Sequence, residues 1–314
     1  MDVYIDFSNF LSLIHSAKDG RYGDCMRMIR DNFDIKFTFS KESIYLAEKD
    51  DLEDIGQWFN TMASGKGEIK WDSTIPEDKD LRSYPYNSSV YLLDDNANDS
   101  RRLNIIKRDI VLIATIGKEL EVLSSLFVYN NQYYKDIFDK INAWEDVMEY
   151  TSPTTDLIIY DRYLLSSPEL YDSNLIRLLK CLTNKTKSER INILIVTLNK
   201  YKDFEPKWDK IYSTVRKAVN KKVHPNVSFI TTSKLKHDRY ILTNYKMFIS
   251  GDTFNYFDST GNKITSGSFF VVSSLADTDN MVKSKNLVKE VKTLIERMII
   301  KNRDFIKYEP ICNL

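Results

Sequence analysis

The sequence predicts an α/β protein built as two layered units. Three observations lead there. Apolar runs rich in β-branched residues at 3–7, 109–115, 156–165, 191–197 and 227–231 have the length and composition of buried strands. The stretches between them place apolar residues at helical spacing, so strands and helices alternate along the chain. The charge also changes sign midway. Residues 1–150 hold 18 Lys and Arg against 28 Asp and Glu, whereas residues 151–314 hold 27 against 17, so a net charge of zero conceals two opposed halves. Pattern and charge both shift at Thr151-Ser152-Pro153. The boundary is therefore placed there, giving an acidic α/β domain over 1–150 and a basic domain over 151–314 that ends in a helix.

Residues 3–7 (VYIDF) read as a buried strand, with Ser8 or Asn9 capping a helix through residues 10–17. A second helix is expected over 24–33, a strand over 34–39, and a helix over 50–62 with Leu52, Ile55, Trp58, Phe59 and Met62 on its spacing. Residues 63–67 (ASGKG) form a turn, and 68–89, polar and holding Pro76 and Pro85, a long surface loop. Strands follow at 90–93 and 109–115 and helices at 116–128 and 133–150, the last with Ile137, Ile141, Trp144 and Met148 on one side. In the second half, strands at 156–165, 191–197, 227–231 and 268–272 alternate with helices at 174–182, 209–221 and 286–301. His224, in Lys-Lys-Val-His-Pro, reads as a loop residue.

Composition narrows the function classes. Apolar residues make up 42% of the 314, enough to fill a core, so the chain is not a disordered one. Cys25, Cys181 and Cys312 are far apart and odd in number, with no Cys-x-x-Cys pair. That argues against a zinc site or a disulfide framework and for a reducing, cytoplasmic compartment. No apolar run approaches the roughly 18 to 20 residues needed to span a bilayer, and the start MDVYIDFSNF lacks the basic region of a signal peptide. No metal or other cofactor is expected. The basic half suits a polyanion such as nucleic acid. The acidic half suits docking to a protein partner or to the basic half.

The stretch 234–258 (KLKHDRYILTNYKMFISGDTFNYFD) concentrates the chemistry. His237 and Arg239 are two apart, so on a strand they share a face. Alternation through Tyr240, Leu242, Met247, Phe248 and Ile249 predicts a strand pair, followed by a turn at Gly251-Asp252-Thr253-Phe254-Asn255. His237-Asp238-Arg239, four residues, Asn244, six residues, then Gly251 with Asn255 just beyond resembles the His-x-Lys motif of the phospholipase D-like superfamily. Arg239 stands for Lys and Asn244 for Asp. His-Asp-Arg followed by a Gly-rich turn is similar to the C-terminal domain of some microtubule-interacting-and-trafficking proteins. Asp161-Arg162-Tyr163 is similar to the Asp-Pro-Tyr that opens that domain. The resemblance covers about residues 154–275. It implies a mixed-sheet α/β/α domain, with His237 as the catalytic position, Arg239, Asn244, Asn255, Lys234 and Lys236 binding phosphate, and Asp161, Asp238 and Gly251 supporting them. Lys221, Lys222 and Lys246 are further candidate phosphate contacts.

In active members of that superfamily a histidine attacks a phosphodiester and a second histidine, from another copy of the motif, protonates the leaving group, without metal. Arg can replace Lys as a phosphate ligand, but Asn244 cannot supply the charge that orients the histidine. This chain holds one motif, and His15 and His224 lie in no comparable context. Two expectations follow. The first is a phosphate- or polyanion-binding protein, most simply of nucleic acid, within a bacterial defence or nucleic-acid-processing assembly. The second is a metal-independent phosphodiesterase or nuclease, active as a homodimer through a phosphohistidine at His237. A third rests on Val3-Tyr4-Ile5-Asp6-Phe7-Ser8-Asn9, which resembles the opening strand of PIN/NYN-type nucleases. There Asp6, with Asp94 and Asp95 and less aptly Asp109, would hold Mg²⁺, against the plainer reading of a helix cap and a turn.

Overall fold

Buried β-branched and aromatic residues build the two sheets on which the chain is organised. A computed structural model describes residues 2–18, 23–71, 89–92, 111–112, 127, 129, 132–186, 190–198, 206–219, 224–232, 237–301 and 306–308. The chain divides into Met1–Tyr133 with Ala276–Thr278, and Tyr134–Leu275 with Asp279–Leu314.

In the first unit, strands β1 (Asp2–Ile5), β2 (Asp34–Phe37), β3 (Ile69–Trp71), β4 (Ser89–Leu92) and β5 (Val111–Leu112) form a parallel sheet in the order β3-β2-β1-β4-β5 among the described residues. Parallel neighbours need crossovers. Helices α1 (Phe7–Ala17) and α2 (Gly23–Asn32) link β1 to β2, and α3 (Lys41–Tyr45) and α4 (Lys49–Ala63) link β2 to β3. Phe10 of α1 packs edge-on against Phe37 at 4.8 Å and Trp58 of α4 at 5.0 Å, clamping both helices to the sheet. The expected cap residues, Ser8 and Asn9, lie inside α1. Asp6 is the cap, and its Oδ1 accepts from the Asn9 amide at 2.9 Å. The helix expected at 116–128 lies outside the described residues apart from buried Phe127, as does most of the loop expected at 68–89 beyond β3.

The second unit is a mixed sheet of β6 (Tyr134–Asp136), β7 (Asp156–Tyr160), β8 (Arg190–Leu198), β9 (His224–Thr232), β10 (Arg239–Leu242), β11 (Lys246–Ser250), β12 (Phe270–Ser274) and β13 (Ile306–Lys307), in the order β13-β9-β8-β7-β10-β11-β12-β6 among the described residues. β7, β8 and β9 run parallel, and the remaining pairings are antiparallel. All of β7 and all but the first residue of β8 are buried, as expected for strands covered on both faces. Helices α5 (Arg177–Leu182), α6 (Trp208–Ala218) and α7 (Thr278–Lys301) belong to this architecture, with a π turn at Asp172–Ile176 leading into α5. The mixed α/β class expected from the sequence is therefore present.

Two expectations are corrected. Residues 133–150 are not a helix, and 134–150 belong to the second unit. β6 pairs with β12 at the sheet edge, and 3-10 turns follow at Phe138–Lys140 and Trp144–Tyr150. Ile137, Ile141 and Trp144 are fully buried as the spacing predicted, whereas Met148 is half-buried. Aspartates break the helix. Asp136 accepts from the Phe138 amide, and Asp146 from the Asn142 and Ala143 amides, each closing a local turn in place of a helical bond. The second correction is His224, which opens β9 opposite Arg190 and is not a loop residue.

Candidate functional site

The 237–258 stretch folds as anticipated into an antiparallel pair. Arg239 lies opposite Ser250, and the turn at Thr243, Asn244 and Tyr245 joins β10 to β11. β10 also pairs with β7, Tyr240 opposite Tyr160. This register brings three chain segments to one end of the sheet: the carboxyl end of β7 with Asp161, the entry to β10 with His237 and Arg239, and the exit of β11 with Gly251 and Thr253.

Asp161 organises this end. It is fully buried, and its carboxylate accepts from the Tyr163 amide at 2.7 Å, the Leu164 amide at 3.2 Å, the Phe254 amide at 2.7 Å and the Thr253 hydroxyl at 2.9 and 3.0 Å. Burial pushes this carboxyl above the ordinary aspartate range; the Phe254 and Tyr163 amides, the Thr253 hydroxyl and the field of Arg239 oppose that push. Asp161 thus ties the end of β7 to the turn after β11. Asn174 secures the same turn from behind. It accepts from the Phe257 amide at 3.0 Å and from the Trp144 indole at 3.2 Å, and donates to the Phe257 carbonyl at 2.7 Å. Trp144 stacks on Tyr256 at 5.2 Å.

Arg239 acts on this anchor through its field, and Arg162 follows Asp161 in the chain. Arg239 donates from Nη1 to the Gly251 carbonyl at 3.1 Å, while its Nε is buried with no hydrogen-bond partner. Arg162 lies over the Tyr163 ring at 5.3 Å, and its Nε is likewise buried and unpaired. A buried donor without an acceptor costs on the order of 1–3 kcal/mol, so the Arg239 Nε beside Asp161 marks an acceptor-hungry position. His237 is exposed at the rim. A Cβ at Gly251 would sit 2.8 Å from the Ser268 hydroxyl and 2.9 Å from the Phe269 ring, so those side chains would have to shift to admit one.

The structure separates the remaining sequence candidates. Asn244 is not beside His237. It sits in the β10–β11 turn, at the opposite end of β10, roughly 15–17 Å along the strand at about 3.3 Å per residue. There its Oδ1 accepts from the Thr155 and Asp156 amides at 2.7 and 3.1 Å, and its Nδ2 donates to the Thr155 hydroxyl at 3.0 Å. Its job is to fasten the hairpin turn to the start of β7. Lys246 is at that far end too, and it is buried. Asn255 is near the anchor, but its amide donates to the Tyr163 carbonyl at 3.0 Å, leaving a buried, unpaired Oδ1. Asp238 faces away from Arg239 and accepts from the Tyr240 hydroxyl at 3.0 Å. Lys221, Lys222, Lys234 and Lys236 lie outside the described residues.

The sequence reading missed Thr253, whose hydroxyl reaches both Asp161 oxygens, and Arg162, quoted only as part of a motif. A buried strand-end Asp followed by Arg was the available signal for the second. In the first unit, Asp6 is buried at the carboxyl end of β1, with its Oδ1 also taking the Asn9 side-chain amide at 3.0 Å. Asp94, Asp95 and Asp109 lie outside the described residues. Among the described residues, no group of three or more His, Cys, Asp or Glu could hold a metal ion. Cys25 and Cys181 are buried free thiols, both pushed up to about 12 by burial. No described helix is long and apolar enough to cross a membrane.

The chain matches no known family model and no curated protein sequence. The likeness to phospholipase D-like domains therefore rests on the residues themselves.

Proposed function

We propose that the second unit binds phosphate esters of a polyanion, nucleic acid first among them, at the end of the sheet where Arg239 lies beside Asp161. One observation carries this reading: the buried Arg239 Nε lacks an acceptor beside a carboxylate that already has its full set of donors. Asp161 is spent on holding the turn, so an incoming anion is the natural partner for Arg239. The positive balance of residues 151–314 supplies the long-range attraction. The test is binding of single-stranded oligonucleotides across a salt series. Arg239→Ala is expected to weaken binding and to reduce the slope of log affinity against log salt by about one phosphate contact. Oligonucleotide binding unchanged in Arg239→Ala would refute the reading.

A second reading, hydrolysis, is favoured by one observation. His237 is exposed two residues from Arg239, where a second copy of the chain can bring its own His237. A homodimer would then hold two imidazoles, one to attack phosphorus and one to protonate the leaving oxygen. Turnover that persists in EDTA and vanishes in His237→Ala would establish it.

A further inference from the structure

A cleft of about 260 Å³ opens between α1, α2 and α4 of the first unit, just below the usual roughly 300–1,000 Å³ of small-molecule sites. Helical spacing explains its lining. Ile14 and Lys18 stand four apart at the end of α1, and Met26 and Arg30 four apart on α2. Asp54, Trp58 and Met62 follow at steps of four on α4, so each helix turns one row toward the others. The floor is apolar core: Ile14, Trp58 and Met62 are each at most 5% exposed. Phe10 and Phe59 hold the Trp58 ring edge-on at 5.0 and 5.3 Å. Its indole Nε1 is buried with no hydrogen-bond partner, whereas a buried indole N–H usually has one. Ionic groups stand around this floor. Lys18 pairs with Asp54 at 2.5 Å, which joins α1 to α4. Arg30 pairs with Asp31 through Nε at 2.7 Å and Nη2 at 3.0 Å, which uses two of its five N–H donors.

We infer that this cleft binds an apolar monocarboxylate, its chain against Ile14, Met26, Trp58 and Met62 and its carboxylate on the Trp58 Nε1–H and the spare donors of Arg30. The buried indole N–H lacks the acceptor that such a group needs. A carboxylate offers two oxygens, so one group can take the indole with the first and the guanidinium with the second, both of which line the same small cleft. Charge then selects the ligand. Lys18, Arg27 and Arg30 bring three positive charges to the lining, and Asp54 with the adjoining Asp31 two negative ones, a balance of one positive charge. Residues 1–150 hold 28 acids against 18 bases, so this cleft runs against the field of its own half. One positive charge matches a carboxylate, and the apolar floor matches a hydrocarbon body. The cleft belongs to the first unit, so the inference stands or falls apart from the phosphate reading.

The test titrates the full chain with octanoate, octanol and octylamine, which share one chain length and differ in charge. Octanoate is expected to bind about tenfold more tightly than either of the others, the discrimination of one charge-assisted hydrogen bond. The indole N–H resonance of Trp58, identified by its loss in Trp58→Phe, is expected to move downfield as octanoate saturates the cleft, while those of Trp144 and Trp208 stay in place. Arg30→Met and Trp58→Phe are each expected to weaken octanoate binding about tenfold. Ala17 lines the cleft and is exposed, so Ala17→Phe fills it without touching the core and is expected to abolish binding at an unchanged melting temperature. Octanol or octylamine binding as tightly as octanoate overturns the choice of a carboxylate. Octanoate binding that survives Ala17→Phe, or that leaves the Trp58 resonance unmoved, overturns the site. No binding of any of the three at millimolar concentration overturns the cleft as a ligand site altogether.

Discussion

Asp161 is the residue whose removal tests the architecture of the site most directly. Burial disfavours its charge, so deleting a carboxylate there is not destabilising by default. Replacing a poorly supported buried charge with an apolar group is often neutral or better. The donors decide the sign. Asp161→Ala strands the Tyr163 and Phe254 amides, each at 2.7 Å from the carboxylate, the Leu164 amide at 3.2 Å, and the Thr253 hydroxyl. At about 1–3 kcal/mol for each buried donor left unpaired, the two close amides alone cost on the order of 2–6 kcal/mol. That is a large part of the roughly 5–15 kcal/mol that keeps a domain folded. Asp161→Asn keeps one oxygen for Tyr163 and Leu164 but turns an NH₂ toward the Phe254 amide, so it costs about 1–3 kcal/mol.

The expected order of stability is therefore wild type, then Asp161→Asn, then Asp161→Ala. Urea unfolding of the full chain measures it through the midpoint, with the slope unchanged if only stability has moved. Hydrogen exchange at the Phe254 amide adds a local readout, faster in both variants than in wild type. An alanine variant as stable as wild type, or an asparagine variant less stable than alanine, would refute the account of Asp161 as the tie between β7 and the turn after β11.

Two further predictions come from the opposite end of the sheet. Burial and the nearby charge of Lys185 lower the Lys246 ammonium from its ordinary 10.5 to about 7. The unfolded chain keeps that proton up to about 10.5 while the folded chain releases it above about 7, so stability rises with pH across that window, by up to about 1.4 kcal/mol per pH unit. Lys246→Met is expected to be more stable than wild type near pH 7, with the gap narrowing toward pH 10; a gap independent of pH in thermal melts would sink this assignment. Asn244→Ala orphans the Thr155 and Asp156 amides and is expected to cost about 2–4 kcal/mol in urea unfolding, while anion affinity of the folded protein stays within about twofold. Loss of anion binding in a folded Asn244→Ala chain would return Asn244 to the phosphate site.

The sequence showed most of the fold, because burial writes itself into pattern. The runs at 191–197 and 227–231 became β8 and β9, the first half of the run at 156–165 became β7, which ends at Tyr160 so that 161–165 turn away, and the Tyr240 to Ile249 alternation became the β10–β11 pair. The failure at 133–150 has a local cause: Ile137, Ile141 and Trp144 face the core on helical spacing, but Asp136 and Asp146 spend their carboxylates on backbone amides and hold the chain in turns. Charge hid the unit boundary as well. Residues 134–150 share the acidity of the first half yet pair with β12, since hydrogen bonding along a sheet edge is indifferent to net charge. Half of the site was legible. His237, Arg239, Gly251 and Asp161 converge on one end of the sheet. Asn244 and Lys246 do not, because they lie in and next to the hairpin turn, at the far end of β10 and β11 from Arg239.

The motif spacing has a geometric meaning. Counting from Arg239 through four residues to Asn244 and six more to Gly251 is the arithmetic of a hairpin with its turn at 243–245: it places Ser250 opposite Arg239 and Gly251 one residue further on. Any chain that must bring a cation on one strand beside a side-chain-free backbone on the next, around a turn of this length, arrives at the same spacing. The spacing therefore argues for the geometry and is silent on catalysis. Asn244 fits this view, since a residue that fastens the turn to β7 needs an acceptor for two amides and a donor for a hydroxyl, which an asparagine supplies as one uncharged group. Chemistry is decided at the other end of the hairpin, where Asp161 fixes the turn and Arg239 holds the Gly251 carbonyl with one nitrogen while its Nε lacks an acceptor. In the proposed reading an anion takes the free Arg239 Nε with His237 at the rim, and the hydrolytic reading would require a second imidazole.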